Sequence, residues 1–261
     1  MIALTHFIFD FALDPVLDKI LFYRFRTTVT DFTNKKRAVE NVSTRDVELV
    51  YLGKIRDLFY FDVFTSKVTL TSNQSIQNER LLKEDIYAFG DILLGVNDKG
   101  EIKKIKNLKE IQKRWAETKA ELRKDHVGFE FEDFLSDITE VLEDEEKTVY
   151  FLKTNAMFGL YFHGLFGKND VQKMPIKRKS ILLDLDDTEI TEEIWIDKRG
   201  PQVSIGAQKS DDANKKIISN NVEIQGYQGT LTYGDENQLI ESNLKIETEH
   251  KNIKYSVIWV G

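Results

Sequence analysis

The sequence has no cysteine, and among its 261 residues only three are proline (Pro15, Pro175 and Pro201) and fourteen are glycine. The missing thiol excludes disulfides, thiol nucleophiles and thiolate metal sites, and it fits a reducing compartment, so a cytoplasmic protein is expected. Scarce proline and glycine leave little material for linkers and predict long regular elements. The apolar N-terminal run MIALTHFIFDFALD has no basic flank and is broken by Asp10 and Asp14, so it does not read as a secretory leader. A net charge of −7 argues against a nucleic acid or an anionic membrane as partner. Phosphate-cradling glycine motifs and the GxSxG nucleophile motif are absent.

What is present orders the chain into three parts. Residues 1–72 read mainly as strands. Tyr23, Phe25, Thr27 and Val29 alternate with Arg24, Arg26 and Thr28, the period of a half-buried strand. Val47–Leu52 and Leu58–Phe64 are further strands, the second apolar on nearly every residue and so expected to be buried on both faces. The polar stretch Asn34–Arg45 between them reads as a loop. Residues 73–167 read as a helical middle that begins at the capping oxygens of Ser72–Ser75 and carries a hairpin over 91–106, turning at Asn97–Gly100.

Within this middle, Leu108, Ile111, Trp115 and Leu122 form one helical stripe, and Phe131, Phe134, Leu135, Ile138, Val141 and Leu142 form a second. Residues 99–124 carry a net charge of +6 and residues 125–147 a net charge of −9, which predicts an antiparallel pair of helices with attracting flanks. Thr148–Phe166 is apolar almost all round. Lys153, Asn155 and His163 interrupt it, so it reads as a buried core helix rather than a membrane span. Part of its aromatic surface also suits a partner-binding groove or a lipid-sized pocket.

A basic connector, Lys168–Ser180, leads into residues 168–261, which read as antiparallel strands over 181–185, 190–196, 203–207, 222–233, 239–248 and 253–260. The apolar phase shifts across Gly226, as at a β-bulge. The expected fold class is therefore α+β: an antiparallel framework from both ends of the chain, with a helical insert over about 74–167 in what is one composite domain.

Asp184-Leu185-Asp186-Asp187-Thr188, preceded by an apolar strand, resembles the first motif of the haloacid dehalogenase-like phosphatases. The resemblance implies that Asp184 is a phosphoryl-accepting nucleophile and Asp186 a general acid/base, both neutralised by Mg²⁺. The same residues also read as a strand running into an acidic turn. His6, His126, His163 and His250 have no metal-ligand spacing, and Glu143–Glu146 lacks the spaced ligands of a calcium loop, so no metal or cofactor is expected. The basic residues Lys103, Lys104, Lys106, Lys113 and Arg114, with Trp115 beside them, are the candidate binding residues. The expected function is a non-catalytic one: a protein-binding or structural component, such as an adaptor, an assembly subunit or an immunity-type inhibitor, whose partner is another protein. The alternatives are the Mg²⁺-dependent phosphatase and a carrier of an apolar ligand.

Overall fold

A computed structural model describes residues 10–34, 37–76, 78–154, 156–162, 164–182, 185, 188–196, 202–209 and 223–261. The fold is α+β and is dominated by one antiparallel sheet, of eleven strands among the described residues. Its N-terminal half consists of β2 (Ile20–Asp31), β3 (Val39–Ile55), β4 (Leu58–Ser72), β5 (Asp91–Val96) and β6 (Ile102–Ile105). Its C-terminal half consists of β8 (Ile176–Leu182), β9 (Thr188–Ile196), β10 (Gln202–Lys209), β11 (Ile224–Tyr233), β12 (Leu239–Thr248) and β13 (Lys251–Trp259). The strand order is β6-β5-β4-β3-β2-β13-β12-β11-β10-β9-β8, so the halves meet along the β2–β13 ladder and β6 and β8 are left as the two edges. A separate two-stranded ribbon joins β1 (Asp10–Leu13) to β7 (Gly167–Asp170).

Alternation sets which face is covered. In β2, Leu21, Tyr23 and Phe25 point to the core while Ile20, Phe22, Arg24 and Arg26 face solvent. In β4 the expectation of burial on both faces holds for Phe59, Tyr60 and Phe61 and ends at the exposed Phe64. The Asn34–Arg45 stretch, expected as a loop, enters β3 at Val39. Its residues pair with β2 and β4 where both faces are partly solvated, so no apolar alternation marks the strand. The bulge expected at Gly226 is present, as a register shift between Ile224 and Gly226 against β12.

The helices lie against the core side of the sheet. The first, α1 (Glu79–Ala88), begins seven residues after Ser72, with Asn78 in a left-handed conformation at φ 55°. The next two, α2 (Leu108–Asp125) and α3 (Phe129–Glu143), form the expected antiparallel pair. Gln112 donates to the Leu142 carbonyl (2.7 Å), the Trp115 indole to Thr139 Oγ1 (2.9 Å), and Arg123 pairs with Glu132 (2.7 Å). Arg123 and Glu132 are half exposed, so this pair fixes register more than it holds the helices together.

The single helix expected over Thr148–Phe166 is instead two, α4 (Glu145–Lys153) and α5 (Ala156–Tyr161). Thr154 stops α4 by turning its hydroxyl onto the Phe151 carbonyl (2.6 Å). The break lets α5 drop into the hollow of the sheet. There Tyr161, Phe162 and the following Phe166 meet Tyr23, Phe59 and Phe61, with ring centroids 4.9 Å apart for Phe61–Phe162 and 5.3 Å for Tyr23–Tyr161. Burial pushes the phenols of Tyr23, Tyr161 and Tyr233, which lie close together here, well above the ordinary tyrosine range. Among the described residues no helix is long and apolar enough to cross a membrane.

Candidate functional site: a cleft between the sheet edges

The two edge strands are finished differently. At β6 the outward Ile105 N–H is taken by Glu145 Oε1 (2.8 Å), from the first turn of α4, so this edge is capped by a side chain. At β8 one side pairs with β9, and among the described residues no strand pairs with the other side. Between these edges runs a cleft of about 380 Å³. One wall is β8, Arg178 through Ile181, with Glu189 and Ile190 of β9 behind it. Gly100–Ile102 form the facing wall, and α4 and α5 close the roof with Tyr150, Leu152–Thr154, Phe158 and Gly159. Four consecutive residues of one strand line the same cleft. Successive side chains point to opposite faces, so the cleft runs along the strand's edge and meets its backbone groups.

The turn that forms the facing wall is held by chemistry legible in the sequence. Asn97 Oδ1 accepts from Lys99 N (3.0 Å) and Glu101 N (2.9 Å), and Gly100 takes φ 71°. A Cβ on Gly100 would lie 1.9 Å from the Phe162 carbonyl oxygen, so the close approach of this turn to the end of α5 requires glycine.

Beneath the cleft lies a buried polar cluster. Arg178 and Glu192 are directly opposite in the β8–β9 register, and Arg178 Nε donates to Glu192 at 2.6 Å. The same guanidinium donates to the carbonyls of Phe162 (2.7 Å) and Gly159 (3.3 Å), placing a cation on the C-terminal end of α5. The Tyr227 hydroxyl from β11 donates to the other oxygen of Glu192. Burial, then the adjacent Glu192 carboxylate, pushes the Tyr227 phenol well above its usual range. A recess of about 30 Å³ links the cleft to this cluster.

Arg178 is thus neutralised. Glu101, which burial alone would raise, is held below the usual carboxylate range by hydrogen bonds from Lys103 and Asn97. Lys153 and Lys179 are exposed at the cleft, and among the described residues neither is held in an ion pair.

The candidate residues named from sequence lie elsewhere and are dispersed. Lys103 pairs with Glu101 (2.6 Å) beside the turn, Lys104 is exposed on β6, and Lys106 sits over the Tyr60 ring at 3.8 Å. Lys113 is exposed on α2, and Arg114 is bound to Asp91 (2.7 Å). Trp115 is 3% exposed, so its ring offers no face for stacking on a base. Asp184 and Asp186, like His6 and His163, lie outside the described residues. The strands flanking the acidic motif, β8 and β9, form an antiparallel hairpin with Leu182 opposite Thr188, which is not the parallel arrangement that the phosphatase resemblance implies. Among the described residues no cluster of His, Asp and Glu is arranged to hold a metal ion. The basic connector expected over Lys168–Ser180 is largely β7 and β8. Sequence reasoning missed the cleft because its walls come from segments far apart in the chain. No local alternation marks β8, because Lys177, Arg178 and Lys179 are three basic residues in a row.

No protein-family model matches the chain, and no curated protein does. Among solved structures, one described as lipid–protein interactions in lipovitellin matches over 94% of this chain at 8% identity and a TM-score of 0.48. The match covers 25% of that chain, so this protein spans about a quarter of its length.

Proposed function

We propose that this protein is a non-catalytic binding protein that takes up an extended segment of a protein partner in the cleft between the sheet edges, by strand addition to β8. The observation that carries the reading is the run Arg178–Ile181, an edge with one side unpartnered among the described residues, which lines the cleft residue after residue. Such an edge offers a row of N–H and C=O groups that another backbone satisfies, while neighbouring pockets select its side chains. Ile102, Leu152, Phe158 and Ile190 supply the apolar inner wall. A carrier of an apolar ligand is the second reading, favoured by that same wall, though a ligand without hydrogen-bonding groups leaves the β8 edge unsatisfied.

Gly159 supplies the test. It sits on α5 with an ordinary backbone conformation, and a Cβ there meets only Arg178 Nη2, at 3.8 Å, so Gly159→Leu fills the cleft without backbone strain. A phage-displayed library of random twelve-residue peptides is panned against the wild-type protein and against Gly159→Leu, and dodecanoate uptake is followed by native mass spectrometry. Peptides enriched on the wild type and lost on Gly159→Leu are expected. One-to-one dodecanoate uptake that Gly159→Leu abolishes, with no peptide enriched, overturns the reading in favour of the apolar carrier.

A further inference from the structure

The faces of β8 are chemically distinct, and that distinction constrains what can lie beside it. Arg178 turns inward onto the end of α5, so Ser180 and Leu182 share the inner face, and Lys177, Lys179 and Ile181 take the outer one. On the outer face Lys177 is directly opposite Glu193 of β9, at 3.2 Å, whereas Lys179 is opposite the uncharged Thr191. Lys153, in the last turn of α4, presents a second exposed ammonium on the roof of the cleft. Of the two carboxylates that line the cleft, Glu101 is engaged by Lys103 and Asn97. Glu189, opposite Ile181 and one strand further from the free edge than Lys179, is exposed and in no ion pair among the described residues. Glu192, beneath the cleft, is engaged by Arg178 and Tyr227.

We infer that the segment β8 takes up is acidic on one face and apolar on the other, alternating at every residue. A strand laid on the free edge places alternate side chains on the same face as Lys179, where a carboxylate meets an unpaired ammonium across the strands, and like charges are disfavoured. The intervening side chains point inward, where Phe158 and Leu152 meet apolar groups. The inference rests on the strand-addition reading and adds the chemistry of the partner.

The experiment uses three ten-residue peptides in which valine alternates with glutamate, with threonine or with lysine, titrated against the full chain by fluorescence anisotropy. The glutamate peptide is expected to bind roughly tenfold more tightly than the threonine peptide, and the lysine peptide more weakly than either. The variant Lys179→Glu is expected to reverse that order. Equal affinity for the glutamate and threonine peptides, both lost on Gly159→Leu, overturns the acidic assignment and leaves strand addition standing. If none of the peptides binds the wild type at millimolar concentration, both the assignment and the reading beneath it fall.

Discussion

Arg178 on β8 and Glu192 on β9 face each other directly across an antiparallel hairpin, 2.6 Å apart, with side chains 10% and 4% exposed. This pair joins the edge of the sheet to α5 and, through Tyr227, to the interior strand β11. Removing one partner leaves a buried, uncompensated charge, so Glu192→Gln or Arg178→Met is expected to cost about 3–5 kcal/mol in urea unfolding. The double variant Arg178→Met/Glu192→Leu is expected to cost less than the two single losses added. Additive losses in that cycle would show that the residues act independently.

The two glycines nearest the cleft are expected to respond oppositely. Gly100→Ala meets the Phe162 carbonyl at 1.9 Å and keeps a positive φ, so a loss of about 3 kcal/mol or more is expected. Gly159→Ala makes only an ordinary contact with Arg178 Nη2, at 3.8 Å, in a helix and is expected to gain about 0.5–1 kcal/mol. Thermal unfolding of both variants checks the pair, and a destabilised Gly159→Ala would show that α5 needs its glycine for a reason other than cleft space.

Trp115 is expected to matter for packing. Its ring is buried between α2 and α3 and its indole donates to Thr139 at 2.9 Å. Trp115→Ala is expected to cost about 3–5 kcal/mol, and Trp115→Phe, which keeps an aromatic ring but loses the donor, about 1–2 kcal/mol. Equal losses for the two would mean that the hydrogen bond, rather than the ring, dominates.

Asp62 gives a pH signature. Burial, and secondarily the charge of Asp91, raises its carboxyl above the ordinary aspartate value. A folded pKa above the unfolded one means that the protonated form is favoured by folding, so ionisation destabilises the protein as pH rises through the folded value. Asp62→Asn is therefore expected to be more stable than the wild type at neutral pH, with the advantage fading as pH falls below the unfolded aspartate pKa. The other perturbed carboxylates (Asp31, Asp46, Glu101, Glu132 and Glu140) are lowered and act in the opposite sense, losing stability as pH falls through their folded values. Unfolding curves from pH 3 to 7 for both proteins separate the two effects.

The α+β class, the hairpin at Asn97–Gly100, the α2–α3 pair and the Gly226 bulge were legible because each is written locally, in periodicity or turn chemistry. Ladder partners far apart in sequence are not. Val39–Asp46 is polar, yet it is a strand because β2 and β4 hold both its sides. Lys177–Arg178–Lys179 reads as a solvated basic connector, yet Arg178 is buried because Glu192 and the end of α5 receive it. Burial of a charge depends on groups that the local sequence does not display, so the strand that borders the cleft was the hardest to see.

The β2–β13 seam has a kinetic consequence. The central ladder of the sheet joins its first strand in chain order to its last, so the halves cannot be sealed until β13 has been made. Such non-local pairing slows folding. Until β13 arrives, β2 is itself a bare edge, without the ladder partner of its residues Tyr23 to Asp31. During synthesis, aggregation and chaperone demand therefore concentrate at the middle of the finished sheet, although among the described residues it is the β8 edge that stays without a strand partner once folding is done.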